Sequence, residues 1–384
     1  MTLITDTDSL RAFCDRLTGA DFLTVDTEFM RESTYYPQLC LVQVAGPEDA
    51  AAIDALADGI DLQPLFDLLY RPDIVKVFHA ARQDLEIFHH LNGRLPEPVF
   101  DTQVAAMVCG FGDSVGYETL ISKLTRARID KSSRFTDWSR RPLRDKQIAY
   151  AMSDVTHLRK AYVKLLRMLE KNGRDHWLED EWAILTDPAT YDVDPREVYR
   201  RIKSRGAKPR QLAVLREVTA WREVEARRRD LPRNRMMRDE SLVEIAHHPP
   251  ATSADLERIR GVGRRLAEGS QGQALLDAVK RGLDTPEADC PRPVERVVLP
   301  RGIGPVADLL KVVLKLKCEE YDVAQKLICS AADVETIAAF GEDADLPALK
   351  GWRREVFGAD ALAVRSGKVA LRLDGKKLSL LPVD

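Results

Sequence analysis

No stretch of this chain approaches the roughly 18 consecutive apolar residues that a membrane helix needs, so no span is expected. The opening MTLITDTDSL is acidic where a secretory signal is basic and then apolar, which makes the cytoplasm the expected compartment. Cysteine is sparse. Cys14, Cys40, Cys109, Cys290, Cys318 and Cys329 form no C-x-x-C pair, and none stands beside histidines at zinc-finger spacing. Structural zinc and a disulfide framework are therefore excluded, leaving scattered reduced thiols. Low-complexity tracts are also missing.

What is present is the composition of a globular protein, 45% hydrophobic and 31% charged, in 384 residues, enough for two or three cores. The net charge of −3 hides an asymmetry. Basic residues crowd between Arg196 and Arg238, in runs such as RRIKSRGAKPR and EARRRDLPRNRMMR, and such a surface reads either as the footprint of an anionic polymer or as solvated helix faces.

The first 190 or so residues alternate between two periodicities. Leu10, Phe13, Cys14 and Leu17 mark an amphipathic helix. FLTV from Phe22, LCLVQVA from Leu39 and AAIDAL from Ala51 read as strands, the first two as a hairpin. A helix near Leu62–Tyr70 leads to the strand IVKVFHA and a helical segment after it. This is the pattern of an α/β sheet covered by helices. From about Tyr150 onward the chain reads as helical. Pro188, Pro195 and Pro209 punctuate a linker, and a second proline-rich joint, PRPVERVVLP, follows Cys290. Between them, Leu212, Leu215, Val218 and Trp221 mark the buried side of a helix whose Glu223 and Arg227 pair on the outside. TSADLERIRGVGRRLAEG reads as two short helices joined by the Gly261-Val262-Gly263 turn, with Thr252 or Ser253 as N-cap. The turn serves either chain geometry or a phosphate at a helix start. Asp374-Gly375 near the end predicts a hairpin.

Three segments carry candidate chemistry. In Thr24-Val25-Asp26-Thr27-Glu28-Phe29, strand alternation puts Asp26 and Glu28 on one face, where two repelling carboxylates invite a cation. HAARQDLEIF places Asp84 just past a strand, inside a starting helix. In QIAYAMSD, Tyr150 and Asp154 lie one helical turn apart. Each segment alone is commonplace; all three in order within an α/β frame are not.

The ordered acids resemble the DEDD superfamily of 3′→5′ exonucleases, whose motifs supply Asp and Glu, then Asp, then Asp, here Asp26, Glu28, Asp84 and Asp154. Tyr150, four residues before Asp154, matches the tyrosine branch; Ala149 stands where the other branch has histidine. DTEFMRESTYYPQLCLVQ, FHAARQDLEIF, FDTQVAA and DKSSRFTDWSRRPLRDKQIAYAMSDVTHL narrow the resemblance to bacterial ribonuclease D. It continues through a helical unit similar to one shared with RecQ-type helicases, and into the third unit.

That resemblance implies an α/β exonuclease domain with a ribonuclease H-like mixed sheet over residues 1–190, a linker at 191–209, a helical RNA-binding domain of the helicase-and-ribonuclease-D type at 210–286, and a second such domain with a terminal hairpin at 287–384. It implies two divalent cations, Mg²⁺ or Mn²⁺. Asp26 bridges both, Glu28 and Asp154 complete one site, and Asp84 helps hold the other through water. Tyr150, a phenol with an ordinary pKa of about 10, orients the attacking water rather than deprotonating it. Thr27 and Phe29, beside the acid pair, are candidates for holding the 3′ nucleotide, although Phe29 reads equally as core. His79 reads as a satisfied buried histidine, with substrate contact as the alternative, and Trp138 and Arg141 read as a structural loop. The expected partner is RNA, with single-stranded 3′ ends and transfer RNA precursors foremost; no membrane and no obligate protein partner are expected, and a monomer is the default. Two other readings are a proofreading or Werner-type exonuclease acting on DNA, and a catalytically dead RNA-binding protein. The appended helical units speak against the first and the intact acids against the second.

Overall fold

The computed structural model describes residues 2–130, 133, 136–293 and 299–383. Lys131, Ser132, Arg134 and Phe135 of the motif preceding Tyr150, and residues 294–298 of the second proline-rich joint, lie outside the described residues.

The first unit is built on six strands: β1 (Thr2–Ile4), β2 (Phe22–Met30), β3 (Gln38–Ala45), β4 (Ala50–Asp54), β5 (Val75–Phe78) and β6 (Val99–Asp101), in the order β1-β4-β3-β2-β5-β6. β2, β3 and β4 form an antiparallel meander, while β5 lies parallel to β2, β6 to β5, and β1 to β4. This is the expected mixed sheet. The short edge strands β1 and β6 had no signal of their own, because three residues are too few to show an alternation.

Helices cover both faces. On one lie α1 (Thr7–Leu17), α2 (Gln63–Leu69) and α3 (Arg82–Asn92), with Leu10, Phe13, Leu65, Leu85 and Phe88 buried against Val25, Val42 and Val44. On the other lie α4 (Thr102–Val108), α5 (Tyr117–Thr125) and the long α6 (Asp145–Asn172), whose Ala151, Met152 and Val155 pack on Leu41, Ala45 and Ala52. A short α7 (Glu179–Thr186) ends the unit.

The second unit comprises α8 (Pro209–Arg228), α9 (Arg233–Met236), α10 (Asp239–His247), α11 (Ser253–Glu257), α12 (Arg264–Ala267) and α13 (Ser270–Asp284). α8 and α13 cross closely at Gly282, where a Cβ would sit 2.5 Å from the Val214 Cα. Leu212, Leu215, Val218 and Trp221 are buried as the spacing predicts. Glu223 is not on the outside. It is fully buried and is shared by Arg227 and Arg233. Part of the crowded basic run is neutralised from within α8, since Glu217 also takes Arg196 and Arg216, and Glu225 takes Arg228 and Arg229. Tyr199, Ile202 and Ala207, in the stretch read as a linker, are buried in this unit's core. Thr252 caps α11 through a reciprocal pair with Asp255, and Gly261, at φ +86°, supplies the turn that non-glycine residues resist.

The third unit holds α14 (Gly304–Glu320), α15 (Gln325–Ile328), α16 (Ala331–Phe340), α17 (Gly351–Arg353), α18 (Ala359–Arg365) and the hairpin of β7 (Val369–Asp374) and β8 (Lys377–Pro382). The hairpin reverses at Gly375-Lys376, one residue later than the Asp-Gly signal. This unit folds back on the first. Trp352 stacks on Trp177 at 4.2 Å, the Ala324 N–H donates to the Met107 carbonyl at 2.8 Å, and the two units share one continuous apolar core with α4–α6.

Candidate active site

β2 and β5 run parallel, and the acids gather toward their carboxyl ends, where open α/β sheets open a crevice. Asp26 and Glu28 face α6, as alternation dictates. The β2–β3 register shifts between Glu28 and Phe29, a bulge that turns the strand immediately after the second acid. α6 is fixed over this face by buried Thr24, whose hydroxyl donates to the Val155 carbonyl at 2.9 Å. That bond lies two residues before Asp26 and one after Asp154, so it sets their approach.

Carboxylate oxygens of Asp26, Glu28 and Asp154 all lie within 4.8 Å of one another. Asp84 stands outside this tight group. It comes from the opposite helical layer, buried at the start of α3, and accepts a hydrogen bond from the Thr27 hydroxyl. Thr27 alternates away from the acid pair and so reaches α3; its side chain orients Asp84. The turn that presents Asp84 is held by Asp101, whose carboxylate accepts the N–H groups of Ala80 and Ala81, both at 2.9 Å, and of Gln103 at 2.8 Å. Ala80 takes a left-handed φ of +61° there.

Burial pushes the Asp26 carboxyl above the carboxylate range. Burial, and then the charges of Asp26, Asp154 and Asp84, push Glu28 up. Asp154 and Asp84 rise through burial and then the Asp26 charge. No ion pair among the described residues relieves the cluster. An all-oxygen donor set with this much uncompensated charge suits a hard divalent cation.

A consequence for stability follows. Groups whose folded pKa is raised contribute stability below the ordinary carboxylate range and lose it as pH rises through the folded values. The metal-free fold is thus penalised most on the alkaline side. Added Mg²⁺ or Mn²⁺ is expected to raise the melting temperature more at pH 8 than at pH 6, as read by thermal melts in EDTA and in excess cation. Equal increments at both pH values would refute the assignment of these carboxylates to a cation.

Tyr150 lies one turn before Asp154, and its ring packs on buried Trp138 at 6.4 Å and 25°. The Trp138 loop is anchored by Arg141, which donates to both carboxylate oxygens of Asp54 at 2.6 Å and to the Trp138 and Cys40 carbonyls. The loop is structural, and what it supports is the tyrosine. Tyr117 went unread in the sequence. Its hydroxyl donates to the Asp154 carbonyl at 2.5 Å, and its phenol pKa is raised by burial and then by the Asp154 and Asp26 charges. Nothing local distinguishes it; only the fold brings α5 under α6. His79 sits behind Tyr117, edge to face at 5.5 Å. The Thr102 hydroxyl donates to the Phe78 carbonyl, so it accepts from His79 Nδ1 at 3.0 Å. Burial lowers the His79 pKa and keeps the ring neutral. Phe29 is half-buried against the core of the α1–α3 layer.

A mixed sheet between helical layers, with carboxylates from distant segments gathered at its strand ends, is the arrangement of a metal-dependent nuclease. Sequence comparison agrees: residues 1–170 match the family model of a 3′-5′ exonuclease, and residues 211–279 that of the HRDC domain. The ribonuclease D of Gluconacetobacter diazotrophicus is 51% identical over 99% of this chain and 96% of its own. That of Granulibacter bethesdensis is 50% identical over the same shares. The crystal structure of Escherichia coli RNase D, described as an exoribonuclease involved in structured RNA processing, superposes with a TM-score of 0.81 at 31% identity, over 95% of this chain and 98% of that one. The chain belongs to the ribonuclease D family and is a 3′→5′ exoribonuclease. No helix among the described residues is long and apolar enough to cross a membrane.

Proposed function

We propose that the protein trims the 3′ ends of transfer RNA precursors and other small structured RNAs, one nucleoside 5′-monophosphate at a time, and that Asp26, Glu28, Asp84 and Asp154 hold two divalent cations, Mg²⁺ or Mn²⁺. The observation that carries this reading is the uncompensated group of Asp26, Glu28 and Asp154, with oxygens within 4.8 Å. When bound, such a cation pair lowers the pKa of the attacking water and stabilises the departing 3′-oxygen. The chain's own contribution is positional. Asp26 and Glu28 are fixed by the strand and its bulge, Asp84 by Thr27 and the Asp101-held turn, and Asp154 by the α6–β2 bond. In this reading Tyr150, whose ring packs on Trp138 one helical turn before Asp154, orients the attacking water. Thr27 and Phe29 offer backbone to the terminal sugar, whose 2′-OH distinguishes RNA from DNA, and His79 supports the wall behind Tyr117.

In this reading residues 1–190 carry the chemistry, while the helical units at 210–286 and 287–384, joined to it through 191–209, capture substrate. The expected result is a ladder of 3′-shortened products and nucleoside 5′-monophosphates from a transfer RNA precursor with Mg²⁺ or Mn²⁺, none in EDTA, and far slower shortening of the DNA of the same sequence. Equal rates on DNA would transfer the activity to the proofreading class.

A further inference from the structure

Two clefts adjoin at Ile202, which lines both: the inner one lies where the β2–β3 loop meets the second unit, and the outer one lies on the second unit itself. The inner one, about 340 Å³, begins at Arg31 and Thr34 of the β2–β3 loop and reaches Arg201 and Asn234. Its inner rim starts at the end of the strand that carries Asp26 and Glu28, since Arg31 directly follows β2. The outer cleft, about 650 Å³, continues over Ser204, Arg205 and Arg292.

On α8, Arg216, Arg227 and Arg228 have glutamate partners on the same helix and Arg222 has Asp239, whereas Arg201, Lys203 and Arg205 along the clefts are exposed and have no acid partner among the described residues. They are not on a loose tether. Tyr199, Ile202 and Ala207 alternate with them and are buried in the core of the second unit, so the backbone that carries the cations is fixed. The far wall is fixed too: Asp230 accepts the N–H groups of Tyr35 and Tyr36, both at 3.0 Å. Arg31, Arg222 and Arg233 of the inner cleft are taken by Glu86, Asp239 and Glu223, which leaves the guanidinium groups of Arg201 and Arg205 to offer the planar, bidentate geometry that matches phosphate.

We infer that this seam binds the sugar-phosphate backbone of RNA upstream of its 3′ end, with Arg201 and Arg205 as phosphate ligands. The inference rests on the exoribonuclease reading for direction, since the groove runs away from the end of the strand that carries Asp26 and Glu28. Its chemistry is sequence-independent, and it gives longer single-stranded 3′ tails tighter binding than short ones.

The test uses the full-length protein in EDTA, so that RNA is bound and not consumed. Affinity for a 20-nucleotide single-stranded RNA is measured against salt concentration for the parent, Arg201→Ala/Arg205→Ala, the charge-conserving Arg201→Lys/Arg205→Lys, and Arg11→Ala on α1. Each phosphate contact to a single strand contributes about 0.7 to the slope of log K on log salt. The double alanine variant is expected to lose about 1.4 from the slope. The lysine variant and Arg11→Ala are expected to keep it. In Mg²⁺ or Mn²⁺, the fall in kcat/KM of the alanine variant is expected to be larger on the 20-mer than on a dinucleotide. An unchanged slope, or an equal drop with Arg11→Ala, overturns the inference. So does an equal loss on both lengths. A parent that binds with the expected slope but cleaves nothing refutes the exoribonuclease reading and leaves the groove standing.

Discussion

Asp154→Asn is expected to hold RNA nearly as the parent does and to turn it over at least about a thousandfold more slowly, a loss of about 4 kcal/mol of transition-state stabilisation. Asparagine keeps the size of the side chain and one oxygen, but removes a charge from a group whose other members lie within 4.8 Å. The contacts that place α6 are untouched, because Tyr117 bonds the backbone carbonyl of Asp154 and Thr24 that of Val155. A second signature separates loss of chemistry from loss of fold. Removing one of several repelling carboxylates relieves the metal-free cluster, so in EDTA at pH 8 the variant is expected to melt above the parent. Turnover at the parental rate would end the site assignment, and a lower melting point would mean that Asp154 holds the fold together rather than a cation.

Glu223→Ala is expected to destabilise the protein by about 3 kcal/mol, the lower end of the range for removing one partner of a buried ion pair. Glu223 is fully buried and accepts from Arg233 at 2.5 and 2.7 Å, from Arg227 at 3.0 Å, and from the Tyr35 hydroxyl. Burial alone would raise its pKa; hydrogen bonds from Arg233 and Tyr35 and the Arg233 charge overcome that and hold it at about 2. The depressed value means the stabilisation is present above the ordinary glutamate range and is lost as pH falls toward 2. The two arginines keep partial access to water, which is why the lower figure applies. Tyr35 belongs to the β2–β3 loop, so the variant also unpins the second unit from the strand that carries Asp26 and Glu28. Urea unfolding at pH 7 reads the loss. A midpoint equal to the parent's would show the carboxylate to be dispensable, and Glu223→Gln, which keeps the shape and acceptor, is expected to fall between the two.

The two cases show where sequence reasoning reached and where it stopped. Asp26 and Glu28 were legible because strand alternation is local, and Tyr150 and Asp154 because one helical turn is local. Asp84 was legible only as an acid just past a strand, ordinary in a first helical turn until the resemblance joined it to the others, and the fold does set it apart, on the far helical layer. Glu223 looked like any i, i+4 partner of Arg227; only the arrival of Tyr35, 188 residues away in sequence, makes it an interior anchor. Thr27, Tyr117 and Asp101 act through contacts between separate elements and leave no spacing to read. An aspartate before α4 is a legible N-cap signal, but its second use, clamping the turn ahead of Asp84, belongs to the tertiary structure.

The return of the third unit onto α4–α6 has a consequence for synthesis. Trp177, Met107 and the apolar sides of α4 and α5 emerge from the ribosome well before Ala324 and Trp352, the residues that cover them. Until the last quarter of the chain is made, the nascent catalytic half presents an unsealed, sticky flank. Its maturation is tied to completion of translation, and a message truncated near its end yields a polypeptide that has Asp26, Glu28, Asp84 and Asp154 and a surface prone to aggregate.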